Sequence, residues 1–152
     1  MNELRLRIKR TDRPFFLPLF LALMALAGGL IIWFNSPWGV EAGYDSFFYI
    51  TAAKNLLSGV GLGRLQPDGL LIPLTHYPPL YSWLLAGLGL LFHGDILLAA
   101  RLFSALMFAL HVFLFGWITF YFTRSRWFAA AAALLALVSP IFYFLNLSAM
   151  TE

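Results

Sequence analysis

Three long apolar runs constrain what this chain can fold into more than any other feature. They cover residues 14–37, 96–122 and 127–147, and Arg101 is the only charged residue within them. A helix needs about 20 apolar residues to cross the hydrocarbon core of a bilayer. Only 11% of the 152 residues are charged, against about 25% in soluble domains, which argues against a water-soluble globule. The sequence therefore predicts an all-α integral membrane protein with three transmembrane helices, at residues 14–35, 96–122 and 127–147.

Basic residues flank these runs and set the predicted orientation. Residues 1–13 contain five of the ten Lys and Arg residues, and the short loop 123–126 contains two more. Since Lys and Arg accumulate on the cytoplasmic side of membrane proteins, both segments are predicted to be cytoplasmic. Residues 36–95 then form an extracytoplasmic loop, and residues 148–152 an extracytoplasmic end. The alternative for the first run is a cleavable signal peptide, but the run exceeds the roughly 7 to 15 apolar residues of such a peptide.

The loop 36–95 has two predicted interfacial helices. Residues 46–58 mix aromatic and polar side chains and end before Gly59, a common helix stop. Residues 79–92 are apolar, but their 14 residues reach only about 21 Å, which is short of a hydrocarbon core of about 30 Å. Between the helices, Pro67-Asp68-Gly69 predicts a tight turn between two short extended pieces.

Several kinds of chemistry are disfavoured by the residue types present. The chain has no cysteine, so it has no disulfide framework and no thiolate nucleophile. Its three histidines lack metal-ligand spacing. Gly59, Gly61 and Gly63 follow a helix rather than a strand and lack a nucleotide-binding pattern. Nucleic acid is not an expected partner, because the basic residues lie beside apolar runs.

Two acids are candidate catalytic residues. Asp45 stands at the start of the first interfacial helix, where a carboxylate can act as a general base toward a hydroxyl. The simpler interpretation makes Asp45 the N-cap of that helix. Glu152 follows the third span, so the predicted orientation places it on the same face, where the two acids would share an acceptor or a divalent metal. The simpler interpretation of Glu152 is a solvated residue after a helix end.

Three cations are candidate phosphate ligands, and three residues are candidates for a pocket. Arg101 lies within an apolar run, where an ionisable group is usually kept for a partner or an anion; the alternatives are snorkelling to the headgroups and pairing with Asp95. Lys54 and Arg64 lie in the outer loop, where simple solvation is the alternative to a phosphate. The candidate pocket residues Tyr44, His76 and Tyr77 lie just before the two interfacial helices.

Four segments, taken in order, resemble a known family. They are GYDSFFYITAAKNLLSGVGL, THYPPLYSWLLAGL, AARLFSAL and LLALVSPIFYFLNLSAMTE. Together they resemble the N-terminal part of a GT-C class glycosyltransferase, a GT-C-like N-terminal module covering about residues 14–152. The closest likeness is to the bacterial relatives of protein O-mannosyltransferases and of the aminoarabinose transferase that modifies lipid A.

The resemblance assigns roles to individual residues. It implies that Asp45 is the catalytic base, that Glu152 stands where the family commonly has an Asp, and that Arg101 matches the family's arginine at the start of a span. The segment from His76 to Leu80 resembles a His-Pro-Pro-Leu type motif with an additional tyrosine. Ser46 stands where many O-mannosyltransferases have a second acid, which favours acceptors other than protein.

The resemblance also implies an activity. The expected reaction is the inverting transfer of a sugar from a polyprenyl-phosphate donor to a hydroxyl of a lipid, glycan or protein acceptor, on the outer face of a bacterial inner membrane and among membrane lipids. No cofactor is assigned, and a divalent metal is left open. Because the chain ends directly after a span, we expect a truncated piece that is inactive alone. The alternative is a non-catalytic membrane module or a decayed fragment of such an enzyme.

Overall fold

The computed structural model describes residues 16–40 and 43–147. Within these residues the chain forms six helices and two short strands: α1 Phe16–Asn35, α2 Tyr44–Leu57, β1 Gly63–Leu65, β2 Leu71–Pro73, α3 Pro79–Leu91, α4 Ile96–Thr123, α5 Arg126–Val138 and α6 Pro140–Leu147. Helices α1 and α4 are long and apolar enough to cross a membrane, and α5 with α6 passes the same test as a bent pair. The predicted all-α membrane class is confirmed. The segments 1–13 and 148–152 lie outside the described residues.

Helices α1 and α4 form the antiparallel centre of the bundle. Trp33, near the end of α1, contacts Arg101 near the start of α4, whereas Leu21 lies against Gly116 further along α4. A Cβ on Gly116 would also lie 3.1 Å from the Ala129 carbonyl oxygen of α5. Small residues allow helix backbones to approach closely where lipid removes the hydrophobic driving force. Phe108 and Val112 are fully buried in this core, while the outer faces carry exposed apolar side chains, as contact with lipid requires.

The third apolar run is broken rather than continuous. Helix α5 ends at Val138, α6 begins at Pro140, and the two axes differ by 54°. Proline has no N–H and restricts the residue before it, so Ser139 takes an extended conformation with ψ 118°. The single helix expected over residues 127–147 is therefore bent after Val138, the last of the 13 residues of α5. Near the end of α6, the Asn146 amide lies 3.4 Å from Nδ1 of His111, in the middle of α4.

A second core joins α2 and α3 to the start of α4. The helix expected over 46–58 runs from Tyr44 to Leu57, and the one expected over 79–92 runs from Pro79 to Leu91. Tyr49, Leu85 and Ile96 are buried between them. The Ser82 hydroxyl donates a hydrogen bond to the Tyr49 carbonyl, 3.1 Å away and buried. Each of these helices therefore presents one face to protein, and the loop packs on the end of the bundle formed by α1 and α4.

The segment between α2 and α3 is a β-hairpin. Strands β1 and β2 pair antiparallel, with Arg64 opposite Ile72. The predicted Pro-Asp-Gly turn is present: Asp68 Oδ1 accepts a hydrogen bond from the Leu70 N–H at 3.0 Å, and Gly69 has φ 84°. The Asn55 side chain donates to the Gly63 carbonyl at 2.7 Å and ties the hairpin to α2. This bond fixes the position of Arg64 relative to α2.

Candidate functional site

The Asp45 carboxylate lies in the first turn of α2 and is partly buried. The N-cap is Gly43, with φ −72° and ψ 178°, so the interpretation of Asp45 as the N-cap was wrong. A carboxylate in the first turn is still favoured by the positive end of the helix dipole. Asp45 Oδ1 accepts a hydrogen bond from the Tyr77 hydroxyl at 2.7 Å. The structure therefore joins the candidate base to a tyrosine that is 32 residues later in the chain.

Tyr77 is held by aromatic rings of α2. Its ring stacks on Phe48, with centroids 5.2 Å apart and planes 22° apart, and meets the edge of Tyr49 at 5.3 Å. The hydrogen bond to Asp45, together with burial and the negative charge of that carboxylate, raises the pKa of Tyr77 to about 12. The phenol consequently stays protonated at neutral pH and acts as a donor.

Beside this pair lies a cleft of about 420 Å³, which we call the hairpin cleft. Its lining comes from the start of α2, from both strands and from the segment before α3: Tyr44, Phe48, Arg64, Ile72, Pro73, Leu74, Thr75, His76 and Tyr77. The guanidinium of Arg64 lies 5.9 Å from the centre of the Phe48 ring. The cleft thus combines aromatic walls, an exposed cation and a carboxylate one hydrogen bond away.

The cleft brings together most, but not all, of the residues singled out in the sequence. Tyr44, His76, Tyr77 and Arg64 line it, and Asp45 bonds to one of its walls. Lys54 lies in the last turn of α2, about 14 Å along the axis from Asp45 at 1.5 Å per residue. It is exposed there.

The remaining predictions concern Glu152 and a metal. Glu152 lies outside the described residues, so its proximity to Asp45 stays a prediction. Among residues 16–40 and 43–147, no group of three or more His, Asp or Glu side chains is arranged to hold a metal ion. The described part of the site is therefore built from one carboxylate, one cation and aromatic rings.

Comparison with known proteins shows the family to which this chain belongs. The sequence profile of dolichyl-phosphate-mannose-protein mannosyltransferases matches residues 16–152. The chain belongs to this mannosyltransferase family. A search of curated proteins and a search of solved structures gave no significant match. The matched range contains the whole hairpin cleft, so the cleft belongs to the region that the family shares.

Five residues that line the cleft of this mannosyltransferase-family chain were missed in the sequence: Phe48, Ile72, Pro73, Leu74 and Thr75. Of these, Phe48 supports Tyr77 and contacts Arg64. A signal for Phe48 was present, because it follows Tyr44 by four residues and so lies on the same face of α2. Thr75 carried no signal, because its position depends on how the segment after β2 folds back onto α2.

Arg101 lies at the joint between the two long helices. Its Nε and Nη2 donate hydrogen bonds to the Trp33 carbonyl at 3.2 and 2.6 Å, and its guanidinium lies 3.9 Å from the centre of the Trp33 ring. The last carbonyls of a helix lack partners within the helix, and the neighbouring Ile32 carbonyl accepts from the Ser36 hydroxyl. Arg101 thus supplies the hydrogen-bond donors for the Trp33 carbonyl at the end of α1.

The alternative interpretation of Arg101, a pairing with Asp95, is replaced by the hydrogen bonds to Trp33. Asp95 caps α4, and its Oδ1 accepts from the Leu98 N–H at 3.0 Å. Both side chains line a smaller cavity of about 220 Å³, together with Trp38. Arg101 therefore stabilises the contact between α1 and α4, and a contact with a phosphate would come in addition to this role.

We expect Arg101→Met to lower the free energy of unfolding by about 1–3 kcal/mol, because it leaves the Trp33 carbonyl without its donors. The matched control is Arg124→Met: Arg124 is exposed and lies over the Tyr121 ring at 5.4 Å, and we expect a change within about 0.5 kcal/mol. Thermal unfolding in detergent measures both. Equal effects of the two substitutions would show that the bonds to Trp33 do not stabilise the joint.

Proposed function

We propose that this chain is the N-terminal part of an inverting glycosyltransferase that uses a polyprenyl-phosphate-linked sugar, and that the hairpin cleft activates the acceptor hydroxyl. The observation that carries the proposal is the Asp45 carboxylate, held by Tyr77 at a cleft that also contains Arg64. The family supports the donor class, since its name specifies mannosyl transfer from dolichyl phosphate.

The proposed reaction requires the protein to position the two substrates, to remove a proton and to stabilise negative charge on the phosphate. Asp45 takes the proton of the acceptor hydroxyl, whose oxygen attacks the anomeric carbon of the donor. The bond from that carbon to the phosphate oxygen breaks, and the polyprenyl phosphate leaves with the electron pair. A single displacement of this kind inverts the anomeric centre. A nearby cation stabilises the charge that grows on the phosphate.

Arg64 is the cation that we place at the phosphate. Its side chain lines the cleft, whereas the guanidinium of Arg101 is committed to Trp33 and Lys54 lies at the other end of α2. A guanidinium can form two parallel hydrogen bonds to phosphate oxygens. The aromatic side chains of Tyr44 and Phe48 provide flat apolar surfaces beside it, which suit the C–H faces of a sugar.

The acceptor class and the location are further parts of the proposal. Ser46 follows Asp45 and is buried, so no second carboxylate stands beside the base, and we favour a lipid or glycan acceptor over a protein. We place the cleft on the extracytoplasmic face of a bacterial plasma membrane. Glu152 is retained as a second acid of the site in the complete protein, where a divalent metal is left open.

Asp45→Asn in the full-length protein should reduce sugar transfer by at least about a hundredfold, the usual contribution of a general base. The amide still accepts the hydrogen bond from Tyr77, so the fold should be retained. The measurement is transfer of radiolabelled sugar from a polyprenyl phosphate in membranes. Asp68→Asn is the matched control, because it removes one negative charge from the exposed hairpin turn. Wild-type transfer by Asp45→Asn would show that Asp45 is not the base, whereas a wild-type protein without transfer would favour a non-catalytic membrane module.

Arg64→Gln should raise the KM for the donor by at least about tenfold, which corresponds to ~1.4 kcal/mol. Lys54→Gln, which removes the same charge from the far end of α2, should leave this KM within about twofold, since Lys54 does not line the cleft. Donor titrations at saturating acceptor compare the two variants. If Lys54→Gln has the larger effect, the phosphate does not bind in the hairpin cleft.

The proposed orientation has its own test, because the chain contains no cysteine of its own. A cysteine introduced at Asp68, exposed on the hairpin, should react with a membrane-impermeant maleimide in intact cells. A cysteine introduced at Thr123, exposed at the other end of α4, should react only after permeabilisation. Labelling at Thr123 and not at Asp68 in intact cells would reverse the orientation.

A further inference from the structure

We propose that Tyr77 is a positioning residue for the reaction: its hydroxyl holds one oxygen of the Asp45 carboxylate, so that the other oxygen can accept the proton of the acceptor hydroxyl. This inference rests on the proposed function, in which Asp45 is the base. It concerns the additional tyrosine in the His76-to-Leu80 segment, which the resemblance leaves without a role of its own.

The first argument is the rigidity of Tyr77. The hydrogen bond to Asp45 is 2.7 Å long, and the tyrosine ring stacks on Phe48 and meets the edge of Tyr49. Both of these rings belong to α2, the same helix that carries Asp45. Pro78 follows Tyr77 and restricts its backbone. The helix that carries the acceptor Asp45 therefore also carries the rings that hold the donor Tyr77 in place.

The second argument is what this bond does for a base. A carboxylate can accept bonds at both of its oxygens, so a bond at Oδ1 leaves the capacity to accept from a substrate hydroxyl. A general base must be held in place, since a displacement of about 1 Å can cost on the order of a hundredfold in rate. The bond from Tyr77 holds Asp45 in this way and leaves its second oxygen for the acceptor.

The third argument is that Tyr77 itself remains a donor. Its pKa is raised to about 12, first by the bond to Asp45, so it carries its proton at every pH at which the enzyme would work. It can therefore neither accept the proton of the acceptor nor lose its own to Asp45 while that carboxylate is ionised.

Other titratable side chains surround the pair and must be separated from it. Tyr44 and Tyr49 lie on α2, Arg64 on β1, His76 beside Tyr77, and Tyr81 on α3 against Tyr49. Burial raises the pKa of Tyr81, which keeps it neutral. The test therefore changes the Tyr77 hydroxyl alone and leaves each of these side chains in place.

Tyr77→Phe in the full-length protein tests the proposal, because it keeps the ring against Phe48 and removes only the hydroxyl. The kcat should fall about tenfold, in line with the loss of one hydrogen bond to a charged group. The KM for the donor should stay within about twofold. Tyr121→Phe, which removes the hydroxyl of an exposed tyrosine of α4 outside the cleft, should leave kcat unchanged.

The outcomes separate this inference from the proposed function. An unchanged kcat in Tyr77→Phe would overturn the positioning role and leave Tyr77 as a packing residue. If Asp45→Asn abolishes transfer in the same assay, Asp45 remains the base and only the role of Tyr77 is overturned; if Asp45→Asn is active, the proposed base is wrong. A fall of kcat in Tyr121→Phe equal to that in Tyr77→Phe would also overturn the proposal. Equal melting temperatures of wild type and Tyr77→Phe exclude loss of fold as the cause of a fall in kcat.

Discussion

The hydrogen bonds from the Arg101 guanidinium to the Trp33 carbonyl are the interaction on which the rest of the site depends. They join the end of α1 to the start of α4, and the segment that builds the hairpin cleft leaves from one of these helices and returns to the other. In an apolar environment an unpaired carbonyl is costly. The same bonds therefore give the Trp33 carbonyl at the end of α1 its donors, and they fix the distance between the two ends of the loop.

Between those fixed ends, the loop is ordered mainly by aromatic and small side chains. Tyr49 and Tyr81 meet edge to face at 5.2 Å and fill the space between α2 and α3. On the other side of α2, Phe48 and Tyr77 stack and form a wall of the hairpin cleft. One helix thus packs against protein on one face and builds the site on another, so Asp45 is held by the packing of α2 as well as by its hydrogen bond.

The elements were largely predictable, whereas the details at their ends were not. The two long apolar helices, the two short helices and the turn at Asp68 all follow from local patterns, because apolar length and turn residues act within a few positions of one another. The bend at Ser139 was missed, although Pro140 was a visible signal, because the apolar run continues across it. The simpler interpretation made Asp45 the N-cap, because acidic residues are common there; the helix instead begins at Tyr44, two residues before its predicted start at 46, with Gly43 as its cap.

By itself, the sequence determined the membrane class, the number of apolar runs and the family, because these depend on composition and on the order of motifs along the chain. Only the tertiary structure decided which polar groups meet. Tyr77 reaches Asp45 across 32 residues and Arg101 reaches Trp33 across 68. Such contacts depend on the register in which helices pack and on the path of the loop between them. Neither quantity is encoded in the local pattern around the residues concerned, so a tyrosine and an arginine that looked like members of a pocket and a phosphate site acquired their partners only in the fold.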